Sequence, residues 1–138
     1  MRKPEQRMWD QLRPVMQHLN VAYDRIESPT TAPSFPDLCF TYGTKHGFIE
    51  MKAGELDTKG RLDLTHFTQG QRSWLRRHGM AGNVWLMIKV EKVGWYAIKG
   101  TLAWTLPPKP TLLELDAVRY SFSDEVCRSW LFNLLAKV

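Results

Sequence analysis

Cysteine is scarce in this chain: Cys39 and Cys127 are the only two among 138 residues. Neither belongs to a CxxC pair or a Cys/His cluster, which excludes a zinc ribbon or a disulfide framework as the organising device. Cys39 falls in a predicted buried strand and Cys127 in a predicted helix, so both are expected in the core. Long apolar runs are missing as well. No stretch approaches the roughly 18 to 20 residues of a membrane span. Met1-Arg2-Lys3-Pro4-Glu5-Gln6-Arg7 lacks the apolar core of a signal peptide. The expectation is a soluble, cytoplasmic protein. Repeats, low-complexity tracts and blocks of like charge are also absent, so organisation has to be read from periodicity.

With 43% hydrophobic residues, 138 residues suffice for one domain with its own core and are too few for two ordinary ones. The run Thr105-Leu106-Pro107-Pro108-Lys109-Pro110 breaks regular structure. It divides a core unit, residues 1–104, from a C-terminal extension, residues 105–138, expected to finish the core rather than form a dimer contact. Lys plus Arg number 19 against 14 Asp plus Glu, a net charge of +5. Lys45, Lys52, Lys59, Arg61, Arg72, Arg76 and Arg77 cluster along one segment, which points to a polyanionic partner.

Pro4 suits the first turn of a helix to about Leu19, with Met8, Leu12, Val15, Met16 and Leu19 as its apolar stripe and Pro14 as a kink. Glu5 lies on the inward side of that helix, where it also suits the helix dipole. Residues 20–26 alternate as a strand. Residues 36–42 and 48–52 read as two further strands around the turn Gly43-Thr44-Lys45-His46-Gly47. Residues 53–67 carry few signals and are expected to be mobile. Thr68-Gln69-Gly70-Gln71 has the form of a capping box opening a helix over 69–78, with Gly79 as its stop. The inward stripe of that helix is Gln71, Trp74, Leu75 and His78, leaving Arg72 and Arg76 on a neighbouring face. Residues 83–90 read as a strand buried on both faces and 93–98 as the next. Residues 112–122 have no clear assignment. Ser123 is placed as the cap of a last helix with Val126, Trp130, Leu131, Leu134 and Leu135 on its apolar face.

The chemistry concentrates at Pro36-Asp37 and, after twelve intervening residues, Glu50-Met51-Lys52. A hairpin brings Asp37 and Glu50 together, and strand alternation puts Glu50 and Lys52 on one face. Magnesium takes hard oxygen ligands and keeps several waters, so two carboxylates, a backbone carbonyl and a substrate phosphate make up a site. Such a cation polarises the phosphate and lowers the pKa of a bound water, while Lys52 is placed to orient that water and offset developing charge.

In this order the motifs resemble the PD-(D/E)XK nuclease superfamily, and within it the VRR-type nuclease domain found in phage and cellular proteins. The likeness spans about residues 4–100. It implies a three-layer, restriction-endonuclease-like α/β fold with a central mixed sheet flanked by helices, and a site of Glu5, Asp37, Glu50, Lys52 and Gln71. The metal ligands it implies are Asp37, Glu50, the Met51 carbonyl and, through water, Glu5, with Mg2+ as cofactor and Mn2+ as substitute. Glu27 rivals Glu5, and Gln69 rivals Gln71 although it falls off the inward stripe. Phe35 stands where many relatives carry a Gly before the Pro-Asp. Residues 64–71 are similar to the stretch before the matching helix in some bacterial Holliday-junction resolvases.

The resemblance therefore implies a metal-dependent endodeoxyribonuclease, a homodimer that cuts branched DNA. The alternatives are the same chemistry on flaps, nicks or linear duplex, or a non-catalytic DNA-binding protein on the same fold. Lys45, Lys59, Arg61, Arg72 and Arg76 are candidates for phosphate contact, and no helix offers a convincing base-reading set, which favours recognition of shape. His46 and His66 could move protons, but the site does not require them.

Overall fold

In the computed structural model, which describes residues 3–26 and 33–136, a six-stranded sheet runs in the order of the sequence, β1 to β6. The first helix, α1 (Lys3–His18), passes through Pro14 and leads into β1 (Ala22–Arg25). Then β2 (Leu38–Tyr42) and β3 (Lys45–Gly54) form an antiparallel hairpin with Leu38 opposite Ile49. Its turn is two residues, Gly43-Thr44, shorter than the five expected, with Gly43 at φ +60°. That conformation at the first turn position is one glycine adopts without steric cost and matches the twist of the flanking strands.

A crossover through α2 (Gln69–His78) returns the chain to β4 (Val84–Val90), which pairs parallel to β3 with Glu50 opposite Leu86 and Lys52 opposite Ile88. The other pairings are antiparallel, so the sheet is mixed. Thr68 caps α2 as expected: its hydroxyl accepts from Gln71 N–H, and the Gln71 side chain accepts from Thr68 N–H. After β5 (Gly94–Lys99) come α3 (Gly100–Ala103), α4 (Leu112–Val118), β6 (Ser121–Ser123) and α5 (Arg128–Ala136).

Alternation along β4 and β5 sorts the core into two layers. Trp85, Met87, Trp95 and Ala97 face Met8, Leu12 and Met16 of α1 and Leu131, Leu134 and Leu135 of α5. Leu86, Ile88, Tyr96 and Ile98 face Trp74 and Leu75 of α2 with Leu62, Leu64 and Leu115. Burying a Leu-, Met- or Phe-sized side chain stabilises by about 1.5–3 kcal/mol, so both layers are needed to offset chain entropy. No helix among the described residues is long and apolar enough to cross a membrane.

Four expectations need correction. Residues 53–67, which carry few signals in sequence, are anchored at several points. Leu62, Leu64 and Phe67 are buried, and Leu62 N–H and Leu64 N–H donate to the carbonyls of Pro110 and Pro108, both at 2.8 Å. The unassigned residues 112–122 form α4 and the edge strand β6. Ser123 ends β6 and donates its hydroxyl to the Glu125 carbonyl at 2.6 Å, so the last helix starts later, at Arg128. Cys127 is exposed just before that helix instead of lying in the core, and Cys39 is half-buried; both are free thiols.

Candidate active site

Asp37 sits at the entry to β2, where the Ile26 N–H donates to its carbonyl at 2.8 Å and ties it to the end of β1. The hairpin register sets Asp37 beside Glu50. Asp37 N–H donates to Glu50 Oε1 at 3.2 Å, and Met51 N–H donates to Asp37 Oδ2 at 2.8 Å. Glu50 and Lys52, two apart on β3, share the α2 side of the sheet, and Lys52 Nζ lies 3.2 Å from Glu50 Oε2. Both are buried, at 2% and 6% exposure, in a fold whose other buried side chains are almost all apolar. Buried charges persist only when paired, and these two are each other's partners.

Lys52 Nζ also donates to the His66 carbonyl at 3.4 Å and lies 5.9 Å over the Phe67 ring. The loop that looked featureless in sequence therefore supplies the second wall around the lysine.

Burial pushes the Glu50 carboxyl up to about 8, and the neighbouring Asp37 charge pushes in the same direction against the pull of Lys52. Asp37 is likewise raised, chiefly by burial, and held back by the Met51 N–H and Lys52. Glu5 adds like charge to Asp37, and Arg25 opposes it. Glu5, on α1, is therefore near enough for its charge to be felt by Asp37. Glu27 lies outside the described residues. Among the described residues, no three of His, Cys, Asp and Glu gather around one point, so the acids that meet closely are Asp37 and Glu50.

Gln71 is drawn into capping: its side-chain carbonyl accepts from Thr68 N–H at 3.0 Å. Phe35, the departure before Pro36, packs against Phe48 and Trp74 with ring centroids 5.5 Å and 5.0 Å away, so an aromatic fills the approach to the motif.

The basic candidates separate. Arg72 is buried rather than on a surface face. Its Nε donates to Phe67 O at 3.1 Å, its Nη1 donates to Trp104 O at 3.3 Å and to Leu106 O at 2.5 Å, and the guanidinium stacks 4.4 Å over Phe67. It is a staple between α2, the loop and the C-terminal segment rather than half of a surface basic pair. Arg61 donates to Lys109 O at 2.9 Å and lies 3.7 Å from Glu114 while remaining half exposed. Lys59 is exposed, Lys45 opens β3, and Arg76 is exposed with its guanidinium 4.3 Å over Trp104. Sequence reasoning passed over Arg25, Phe67 and the His66 carbonyl. A lone phenylalanine in a polar loop was the one available signal for the second of these; a backbone carbonyl leaves none.

No protein-family model matches the chain, and no curated protein matches it. Among solved structures, the chain is similar to Hjc of Archaeoglobus fulgidus, a Holliday junction resolvase from an archaeal hyperthermophile. The identity is 16%, the TM-score 0.57, and the match covers 82% of this chain and 93% of that one. At that identity the likeness is one of fold: a three-layer α/β architecture whose six-stranded mixed sheet is flanked by helices on both faces.

Proposed function

We propose that this protein is a metal-dependent endodeoxyribonuclease of the PD-(D/E)XK type that hydrolyses phosphodiester bonds in branched DNA, with Mg2+ as its cation. The observation that carries the proposal is a triad, buried at Glu50 and Lys52 and half-buried at Asp37: two carboxylates cross-braced by backbone N–H groups, with a lysine 3.2 Å from the second. A purely structural ion pair needs one acid for one base, whereas here two acids crowd together, both raised chiefly by burial, with the Asp37 charge raising Glu50 further.

The donor set suits a hard divalent cation. Glu50 Oε2 is buried 3.2 Å from Lys52 Nζ, and a carboxylate oxygen with one such partner keeps a lone pair for another positive one. Asp37, Glu50 and the Met51 carbonyl are the residues that would hold Mg2+, or Mn2+ in its place, with Glu5 acting through water. When bound there, such a cation supplies Lewis acidity toward a phosphate oxygen and a water of lowered pKa.

The chain's own residues do the rest. Lys52, fixed between Glu50 and the His66 carbonyl, carries a cation whose position is set before substrate arrives. A preorganised charge of this kind stabilises negative charge that develops on the phosphoryl oxygens, and its N–H groups can orient an attacking water. Gln71, next to the loop, remains in the proposed site as a residue that fixes the start of α2 through Thr68.

Branched DNA is favoured over linear duplex because a structure of similar fold is a Holliday junction resolvase and because no helix here carries a base-reading set. The VRR-type grouping and a homodimeric assembly rest on the order of the motifs and on the family resemblance. The test is cleavage of labelled four-way junction, flap and linear duplex DNA in Mg2+ by the wild type, Asp37→Asn and Lys52→Ala. Symmetric junction cuts that vanish in both variants are expected. Equal cutting of all three substrates would make the protein a general nuclease. Intact DNA under every condition would remove the enzymatic reading and leave a DNA-binding protein on this fold.

A further inference from the structure

One residue beyond the carbonyl that holds Lys52, the chain lines a second feature. Phe67, whose ring lies 5.9 Å from Lys52 Nζ, also walls an open cavity of about 520 Å³. Leu64, Thr65, Thr68, Gln69, Leu106 and Pro108 line it together with Trp104 and with Arg72, whose guanidinium is held by the carbonyls of Phe67, Trp104 and Leu106. The volume falls in the range of small-molecule sites, and the lining has their usual character, apolar and aromatic with a few polar groups.

Three properties narrow the occupant. The first is an aromatic plate: Trp104 is 38% exposed, although its own Nε1–H is satisfied by the Thr101 carbonyl at 2.8 Å. An exposed indole on a polar protein face offers a stacking surface at little conformational cost. The second is a cation on that plate. The Arg76 guanidinium covers one face of the ring at 4.3 Å, outside the cavity lining, so a ligand stacks on the opposite face and its phosphate would have to reach round the ring edge to this cation. The third is a polar edge: Gln69 is exposed at the mouth, and its carboxamide has no hydrogen bond among the described residues. A flat, heteroaromatic ligand with a phosphate tail meets all three, and a paired base inside a duplex cannot present its face to the plate.

We infer that this cavity binds an unpaired nucleobase of the branch, stacked on Trp104 with its edge toward Gln69 and its phosphate toward Arg76, one loop away from the scissile position. The inference rests on the nuclease reading for its substrate and deepens it. Branch selectivity would then come from capture of a splayed base rather than from duplex shape alone. Base stacking on an aromatic side chain tolerates any sequence, which suits a chain without a base-reading helix.

The probe is a branched DNA carrying one unpaired 2-aminopurine beside the branch point, titrated with wild type, Trp104→Ala and Trp104→Phe while fluorescence and anisotropy are read. The wild type should quench the fluorescence. Trp104→Ala should lose the quench and bind the branched probe roughly tenfold more weakly, and Trp104→Phe should restore most of both. Fully paired duplex should bind the three proteins alike. Equal quenching and affinity in wild type and Trp104→Ala would overturn the subsite, and the cleavage assay of the same samples would still stand or fall by itself. Quenching that depends on Trp104 in a protein that never cuts DNA would keep the subsite and refute the nuclease. A loss of affinity for paired and branched DNA alike would make Trp104 a general DNA contact and also overturn the inference.

Discussion

The backbone N–H of Asp37 donates to Glu50 Oε1 at 3.2 Å, so the acid of β3 is gripped by the chain that enters β2. The bond from Met51 N–H to Asp37 Oδ2 at 2.8 Å runs the opposite way, and together the two brace the hairpin through its two carboxylates. This arrangement fixes the acids at the cost of crowding like charges in a buried place. Neutralising one should therefore stabilise the metal-free fold. Asp37→Asn keeps an acceptor for the Met51 N–H and removes one charge. Its thermal midpoint at pH 8 without divalent cation should rise by roughly 2–5 °C, the shift expected for about 1 kcal/mol in a domain of this size, while cleavage is lost. A lower midpoint would show that the charge is not a source of strain.

The same crowding makes stability depend on pH. Glu50 has a carboxyl raised from 4.5 to about 8, so the folded state holds this proton more tightly than the unfolded chain does. Its contribution is fully present below the unfolded value and is lost as pH rises through the folded one. Asp37 is shifted in the same direction and adds to the trend. The metal-free midpoint should fall between pH 5 and pH 8. Millimolar Mg2+ should raise it more at pH 8 than at pH 5, where the cation has to displace protons. Calorimetry across that range with and without Mg2+ checks both statements, and a midpoint that does not move with pH contradicts them.

Lys52 separates chemistry from binding. Its side chain is buried against Glu50 and the His66 carbonyl, so it has little part in long-range attraction of DNA. Lys52→Ala should lower the single-turnover cleavage rate by roughly 10²–10³, the usual effect of deleting one preorganised donor at developing charge. Affinity for the same DNA, read by anisotropy in Ca2+, should change by less than about threefold. Lys52 also holds the Glu50 carboxyl down, so the residual activity should shift to higher pH. A variant that binds as poorly as it cuts would place Lys52 in substrate attraction instead.

How far the sequence could be read follows from how local each signal is. The hairpin, α1, the capped α2 and the doubly buried β4 are specified by neighbours within a few residues, and the Asp37, Glu50 and Lys52 placement follows from strand alternation. Residues 53–67 escaped because their order comes from afar. Leu62 and Leu64 alternate as a strand would, but their partners are the Pro108 and Pro110 carbonyls. Helix α4 buries Leu115 alone in its span, too little for a periodic stripe, although Thr111 and Glu114 form the same capping box that revealed α2. Arg72 was misplaced because helical spacing gives a direction and not a depth: it was set beside Arg76, yet its guanidinium turns under Phe67.

That difference between Arg72 and Arg76 separates stability from binding. Arg72→Met leaves the carbonyls of Phe67, Trp104 and Leu106 without their charged donor in a largely buried place. The expected cost is about 2–4 kcal/mol, since breaking a buried network to a charged group strands its acceptors. The salt dependence of DNA binding should stay as in wild type, because the guanidinium is already committed to those three carbonyls. Arg76→Ala removes an exposed cation on Trp104 and should alter stability by less than about 1 kcal/mol. It should weaken DNA binding and lower the slope of log K against log salt by about one, as for one lost phosphate contact. Urea denaturation and salt-series anisotropy on the two variants measure both quantities. If Arg72→Met alone changed the salt slope, the buried staple would have to open on DNA binding, and the loop holding Lys52 would open with it.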